Sequence, residues 1–285
     1  MEAGAARHQA IAFYDAIGYP PTDAELSLSS VRGPIVSPAR IVRGRVAFEG
    51  REELIAEQEH REAFFPRKIR KARRVARLLS RLPGVRFVAL CNTTALANAR
   101  DEGDLDFFVI TKRGSRALAR ALATTWYALT GSRPGIRESD RDAVCLSFWV
   151  DDSALDLAPL MLDGDDPYFR FWFLSLLPLY DDGVSVDLWE TNVAIRSRHP
   201  HARVWIPSPD LRVKKPLLRF PRLAFLDPIV RRLQERTFSP ILKKIRNTGT
   251  RVVITPHVLK FHAEDGRTAF RDRYREICKQ YGLDS

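Results

Sequence analysis

Two aspartates spaced two residues apart, Asp104 and Asp106, are the residues of this chain best suited to chemistry. They open DLDFFVIT, residues 104–111, which we predict to be a β-strand. Side chains two apart on a strand project from the same face, so both carboxylates point the same way. Surface strands also produce this pattern by chance. As a site, the pair would hold hard cations such as Mg²⁺, which bridge a triphosphate and orient an attacking hydroxyl.

The residues before this strand predict a phosphate-binding turn. VRFVAL, residues 85–90, is predicted to be a strand, and a short helix is expected over 93–98. Asn92 and Thr93 lie where the strand gives way to the helix. Free backbone amides at such a helix start can hold phosphate oxygens.

In order and spacing, residues 91–111 resemble the nucleotidyltransferase superfamily related to DNA polymerase β. The hallmark of that superfamily is a Gly-Ser turn, a short helix and an Asp-x-Asp strand. The resemblance implies that Asp104 and Asp106 are catalytic metal ligands, and that Asn92 and Thr93 take the Gly-Ser place that grips the nucleotide phosphates. It also implies an NTP substrate and Mg²⁺ as cofactor.

The sequence departs from the pattern of that superfamily at two places. Asn92 has a Cβ where Gly has none, but Asn tolerates left-handed backbone better than most residues, and Thr93 keeps a hydroxyl. Active members also place a third carboxylate on a neighbouring strand, whereas the predicted strand AVCLSFWV, residues 143–150, has no acid. The candidates nearby are Asp142, which we rank first, and Asp151, Asp152 and Asp156, while Ser147 can occupy the equivalent position without being a base.

A wider likeness involves YDAIGYPPTDAEL, GREEL, KIRKARRVARLLSRLPGV and VLKFHAEDGR. These segments resemble a prokaryotic group, largely uncharacterised, in which a winged-helix-like segment precedes a nucleotidyltransferase domain. We therefore expect an α/β nucleotidyltransferase core, with a short mixed sheet and helices, at residues 61–165. A winged-helix-like unit would occupy residues 1–60, and a mostly helical region residues 166–285.

Local signals give the elements outside the core. Helices are expected over 8–19 and from Thr22, where Thr22 and Glu25 have the spacing of a capping box, and a hairpin turns at Arg43-Gly44. A helix over 51–81, broken at Pro66, precedes the core. Beyond the core, helices are expected through PYFRFWFLSLLPLY and at about 222–246 and 256–281.

Basic residues dominate the chain. Lys and Arg number 46 against 35 acids, a formal charge of +11. The predicted helix at residues 67–77 has a strongly positive face, which indicates either a solvated surface or a contact with phosphate or nucleic acid. DNA reading by the amino-terminal unit is disfavoured, because Gly33, Pro34 and Pro38 fall in the only stretch left for a recognition helix, about 31–40.

The remaining composition favours a cytoplasmic protein without a membrane partner. Three widely spaced cysteines form no pairing or zinc pattern, the start lacks a secretory signal, and the most apolar stretch, residues 171–180, is too short to span a bilayer. Three functions stay open: a Mg²⁺-dependent enzyme that transfers an NMP from an NTP to an acceptor hydroxyl, a catalytically inactive relative that binds nucleotide or nucleic acid, and a DNA-binding regulator.

Overall fold

A mixed six-stranded sheet forms the centre of the computed structural model, which describes residues 2–29, 33–136, 139–197, 199, 202–205 and 209–283. The strand order is β6-β3-β4-β5-β8-β7, and a separate hairpin joins β1 to β2. The strands are β1 (Ala39–Val42), β2 (Arg45–Phe48), β3 (Val85–Leu90), β4 (Leu105–Thr111), β5 (Val144–Asp151), β6 (Leu177–Asp181), β7 (Val252–Ile254) and β8 (Val258–Phe261). The helices are α1 (Glu2–Ala16), α2 (Asp23–Ser29), α3 (Glu53–Glu62), α4 (Phe65–Leu79), α5 (Asn92–Ala95), α6 (Arg116–Leu129), α7 (Pro167–Leu174), α8 (Val184–Thr191), α9 (Val193–Arg196), α10 (Asp227–Thr237), α11 (Pro240–Ile245) and α12 (Arg267–Gln280).

Central strands β3, β4 and β5 bury apolar residues on both faces, because helices cover both sides of the sheet. One face packs on α4 and α6, where Ile69 and Ala123 contribute to the core. The other packs on α7 and α8, through Trp172 and Leu188 among others. Strand β4 runs antiparallel to β3 and parallel to β5. The sequence therefore correctly predicted an α/β fold with a mixed sheet.

The amino-terminal elements follow their local signals. Thr22 N donates to Glu25 Oε2 at 2.7 Å and Glu25 N donates to Thr22 Oγ1 at 3.2 Å, which is the reciprocal bonding of a capping box. The β1–β2 hairpin turns at Arg43 and Gly44, both with positive φ, as a two-residue type I′ turn requires. Of the stretch left for a recognition helix, about 31–40, residues 31 and 32 lie outside the described residues, and 33–38 are not helical.

The carboxyl-terminal region is less helical than predicted. The helix expected through residues 167–180 ends at Leu174, and residues 177–181 form β6, an edge strand on which Pro178 is tolerated. The helix expected at 256–281 begins only at Arg267, because residues 258–261 pair with β5 and β7 as strand β8. The helix expected at 222–246 is divided into α10 and α11 at Pro240.

Candidate metal and phosphate site

The turn between β3 and α5 is held against the start of β4. Asn92 has a φ of 59°, in the left-handed region that Asn adopts more readily than most residues. Cys91 N donates to the carbonyl oxygen of Asp106 at 3.0 Å. Thr93, the next residue, is exposed. The turn therefore places the Asn92 side chain at Asp106 and leaves Thr93 open to solvent.

Asp104 and Asp106 form the acidic part of a candidate metal site. One ligand atom from each, together with Cys145 Sγ, lie within 4.8 Å of one another, and all three residues are half-buried. Burial, the Asp106 carboxylate and the Asp140 carboxylate raise the pKa of Asp104 to about 7. Burial also raises the pKa of Asp106, although hydrogen bonds from Asn92 and Cys145 oppose the rise. Two buried carboxylates close together repel each other when both are charged, and a bound cation or a proton relieves that repulsion. The group can hold a metal ion.

Cys145 is the member of this group that the sequence did not single out. In the parallel β4–β5 pairing, Cys145 lies opposite Asp106, on the strand where a third acid was expected. Burial and the nearby Asp106 raise the pKa of its thiol, so the thiol is neutral at pH 7. Cys145 could be identified only from the register between two strands some forty residues apart in sequence. A short sequence pattern does not reveal that register.

Ser147 continues the polar side of β5 beyond Cys145. Its hydroxyl lies 3.4 Å from Cys145 Sγ and 3.5 Å from His262 Nε2. Burial and the Lys260 cation lower the pKa of His262 to about 3, so the imidazole is neutral at pH 7. A neutral thiol, a hydroxyl and a neutral imidazole thus follow one another from Cys145 to His262, and the thiol is the one that lies beside the acid pair.

The acids considered as a third carboxylate have other partners. Asp142 pairs with Arg67 at 2.8 Å and with Lys68 at 2.9 Å. Asp151 bonds to a histidine, Asp152 pairs with an arginine, and Asp156 accepts a hydrogen bond from Ala158 N. In the described part of the chain, none of them belongs to the candidate metal site of Asp104, Asp106 and Cys145.

A hydrogen-bonded chain links the acid pair to a neighbouring cavity. Asn92 Nδ2 donates to Asp106 Oδ2 at 2.7 Å, and the Tyr168 hydroxyl donates to Asn92 Oδ1 at 3.1 Å. The cavity has a volume of about 470 Å³ and is bordered by α1, α5 and α7. Its lining includes Asn92, Thr93 and Tyr168 together with apolar and aromatic side chains, among them Phe13, Tyr14, Phe171, Trp172 and Trp205.

The basic helix predicted at 67–77 divides into an inward and an outward part within α4. Lys68 is 1 % exposed and its ammonium donates to the carbonyl oxygens of Asp101 and Gly103 at 3.2 and 2.6 Å. Together with its contact to Asp142, this fixes the loop that enters β4. Arg70 and Arg74 are exposed. Lys68 therefore acts on the acid pair only through the loop that precedes it, and the exposed arginines belong to a separate positive surface.

Comparison with family models, with curated proteins and with solved structures gave no match to this chain. No helix in the described residues has both the length and the apolar character needed to cross a bilayer.

Proposed function

We propose that this protein is a Mg²⁺-dependent nucleotidyltransferase, which moves an NMP from an NTP to an acceptor hydroxyl and releases pyrophosphate. The observation that carries the proposal is the 2.7 Å contact between Asn92 Nδ2 and Asp106 Oδ2. It joins the predicted phosphate turn to the predicted metal ligands. Asn92 and Thr93 would bind the phosphates of the NTP through backbone amides and the Thr93 hydroxyl.

The acid pair suits a hard cation in charge and in donor type. Asp104 and Asp106 supply carboxylate oxygens, which Mg²⁺ prefers, while the neutral thiol of Cys145 is a poor ligand for it. Bound Mg²⁺ would neutralise phosphate charge and polarise the reacting phosphoryl group. The hydrogen bond from Asn92 would orient the Asp106 carboxylate. The short distance between the two carboxylates would determine where the Mg²⁺ charge lies relative to the phosphates.

A second candidate is a nucleotide-binding protein of the same architecture without turnover. Cys145 favours it, because the residue opposite Asp106 on β5 is a thiol with a raised pKa, where an active enzyme would need a third acid. A thiol in that state does not accept the proton of an acceptor hydroxyl at pH 7. This second candidate also includes a protein that binds nucleic acid through the exposed arginines of α4.

Calorimetry with each NTP, in the presence and absence of Mg²⁺, tests what the two candidates share. Both require nucleotide binding that depends on Mg²⁺ and is lost in Asp106→Asn. The control is Asp187→Asn, which removes an exposed carboxylate from α8. Binding that ignores Mg²⁺, or that survives in Asp106→Asn, overturns both candidates.

Pyrophosphate release separates the two candidates. The assay supplies pooled hydroxyl acceptors, comprising small metabolites, protein and RNA, with each NTP and Mg²⁺. Release that disappears in Asp106→Asn and persists in Asp187→Asn supports transfer. Nucleotide binding without release in every pool supports the inactive candidate and contradicts transfer.

A further inference from the structure

Exposed apolar side chains are concentrated in one part of the carboxyl-terminal region. Of the sixteen large hydrophobic residues that are exposed in the described chain, eight lie between residues 217 and 241. Leu217 is 102 % exposed, Leu218 83 % and Phe225 69 %. Soluble proteins seldom leave so many apolar groups together without a partner. The eight are Leu217, Leu218, Phe220, Leu223, Phe225, Ile229, Leu233 and Ile241, which we call the apolar segment.

This segment lies within a strongly basic stretch of the chain. Residues 212–246 contain eleven Lys and Arg and two acids, a net charge of +9 out of +11 for the whole protein. A hollow of about 610 Å³ extends the positive surface from this stretch to α4, and its one acidic lining residue is Asp210. The basic residues of its lining are Arg73, Arg77, Arg81, Arg212, Lys214 and Lys215.

Contacts just beyond the ends of α4 and β6 and at the start of α6 hold the apolar segment in place. Phe220 N donates to the carbonyl oxygen of Arg81 at 2.8 Å, and Arg222 Nε donates to Ser115 Oγ at 3.0 Å. Lys215 pairs with Asp182 at 2.6 Å. These polar contacts fix residues 215, 220 and 222, and Leu217 and Leu218, which lie between them in sequence, are exposed to solvent.

Helix α10 is fixed in the same way. Leu118 N donates to Asp227 Oδ1 at 2.9 Å, and Gln234 Nε2 donates to the carbonyl oxygen of Ala117 at 2.8 Å, so one side of α10 faces α6. Ile229 and Leu233 are one helical turn apart and both exposed, which places them together on another side.

Charge and side-chain type select one class of partner. A second copy of the chain would bring two strongly positive segments together, which electrostatic repulsion opposes. A nucleic acid would use the arginines, but bases stack on aromatic rings, and six of the eight residues of the apolar segment, including the two most exposed, are aliphatic. An anionic bilayer surface uses both features, because its phosphates attract the cations and its interface accepts apolar side chains.

We propose that the apolar segment and the basic hollow beside it form a docking surface for the anionic face of a lipid bilayer. Leu217, Leu218 and Phe225 enter the interface, while Arg77 and Lys214 lie among the lipid phosphates. The contact is peripheral, since no described helix can span a bilayer. A membrane partner was not expected from the sequence, because its most apolar stretch, residues 171–180, is too short to span a bilayer. Surface docking does not require a spanning segment.

Vesicle co-sedimentation of the full chain tests the proposal. We expect binding to phosphatidylcholine vesicles containing roughly a third phosphatidylglycerol, weak binding to pure phosphatidylcholine, and loss of binding as salt rises from ~0.05 to ~0.5 M. Leu217→Ser with Leu218→Ser should weaken binding at least about tenfold. Arg77→Glu with Lys214→Glu should weaken it similarly.

The matched control is Val186→Ser with Val193→Ser, which removes two exposed apolar side chains on α8 and α9 and should leave binding unchanged. Equal affinity for neutral and anionic vesicles, no binding to either, or full binding by the double leucine variant overturns the proposal. Tight binding of a single-stranded RNA without vesicle binding would assign the surface to nucleic acid. A dimer that dissociates in the leucine variant, again without vesicle binding, would assign it to a second copy.

Discussion

Asp104 carries a prediction about pH because burial and the Asp106 carboxylate raise its pKa to about 7. A cation displaces the proton that Asp104 holds below that pH, so protons compete with metal in acid. We expect affinity for Mg²⁺ or Mn²⁺ to fall about tenfold per pH unit below about 7 and to level off above it. Titration calorimetry in two buffers of different ionisation enthalpy measures both the affinity and the proton released. An affinity that stays constant from about pH 6 to about pH 8 contradicts this prediction.

Cys145 offers a second test of the site, because its Sγ lies within 4.8 Å of a ligand atom of Asp104 and of Asp106. Replacing the neutral thiol by a carboxylate adds a hard oxygen ligand and a negative charge. We expect Cys145→Asp to bind Mn²⁺ at least about tenfold more tightly than the wild type. Cys145→Ser, which adds no charge, is the control and should bind as the wild type does. Equal affinities for Cys145→Asp and Cys145→Ser would show that β5 does not face the metal.

Helix α4 positions the site through Lys68, whose ammonium bonds to Asp101 O, Gly103 O and Asp142 Oδ1. Lys68→Met keeps most of the side-chain volume but leaves the Asp142 carboxylate with Arg67 alone and two carbonyl oxygens without this donor. Breaking such a buried contact costs about 3 kcal/mol, measurable by urea unfolding. Because the loop into β4 loosens, metal affinity should fall as well.

Arg70→Met is the matched control for Lys68→Met, since it removes an exposed cation from the same helix. It should change the free energy of unfolding by less than about 0.5 kcal/mol. Equal effects of the two variants would show that the buried contacts of Lys68 do not support the loop.

The elements that the sequence predicted well are those whose signals are local. The capping box of Thr22 and Glu25, the turn at Arg43-Gly44 and the break at Pro66 depend on residues a few positions apart. The strand over 85–90 has the predicted bounds, and β4 differs from its prediction by one residue. Ligand atoms of Asp104 and Asp106 lie within 4.8 Å of each other, as expected for two side chains on the same face of a strand, although Asp104 itself precedes β4.

The elements that the sequence missed depend on distant partners. Residues 177–181 and 258–261 are short apolar runs, which fit a helix or a strand equally well until their ladder partners are known. Those partners are β3 for the first run, and β5 and β7 for the second. Cys145 was missed for the same reason, since only the β4–β5 register brings it to Asp106.

Helix α1 and the β1–β2 hairpin share a hydrophobic core with the carboxyl-terminal helix α12. Phe13 of α1 stacks on Phe171 of α7, with ring centroids 3.4 Å apart, and lies 5.1 Å from the ring of Phe270 in α12. Tyr274 and Ile277 of α12 belong to the same buried cluster. Helix α1 therefore buries apolar side chains against residues more than a hundred positions away, and we expect the chain to unfold as one unit.

Phe13→Ala tests this coupling, because it removes a ring from the shared core and should lower the free energy of unfolding by about 3–5 kcal/mol. All five tryptophans lie beyond residue 60, so their fluorescence follows the unfolding of the part of the chain beyond the amino-terminal elements. Fluorescence and far-ultraviolet circular dichroism should shift together in urea, with coincident midpoints. Ile41→Ala, at an exposed position of the hairpin, is the control and should leave both unchanged. A fluorescence transition that does not move in Phe13→Ala would mean that the amino-terminal elements fold independently of the sheet.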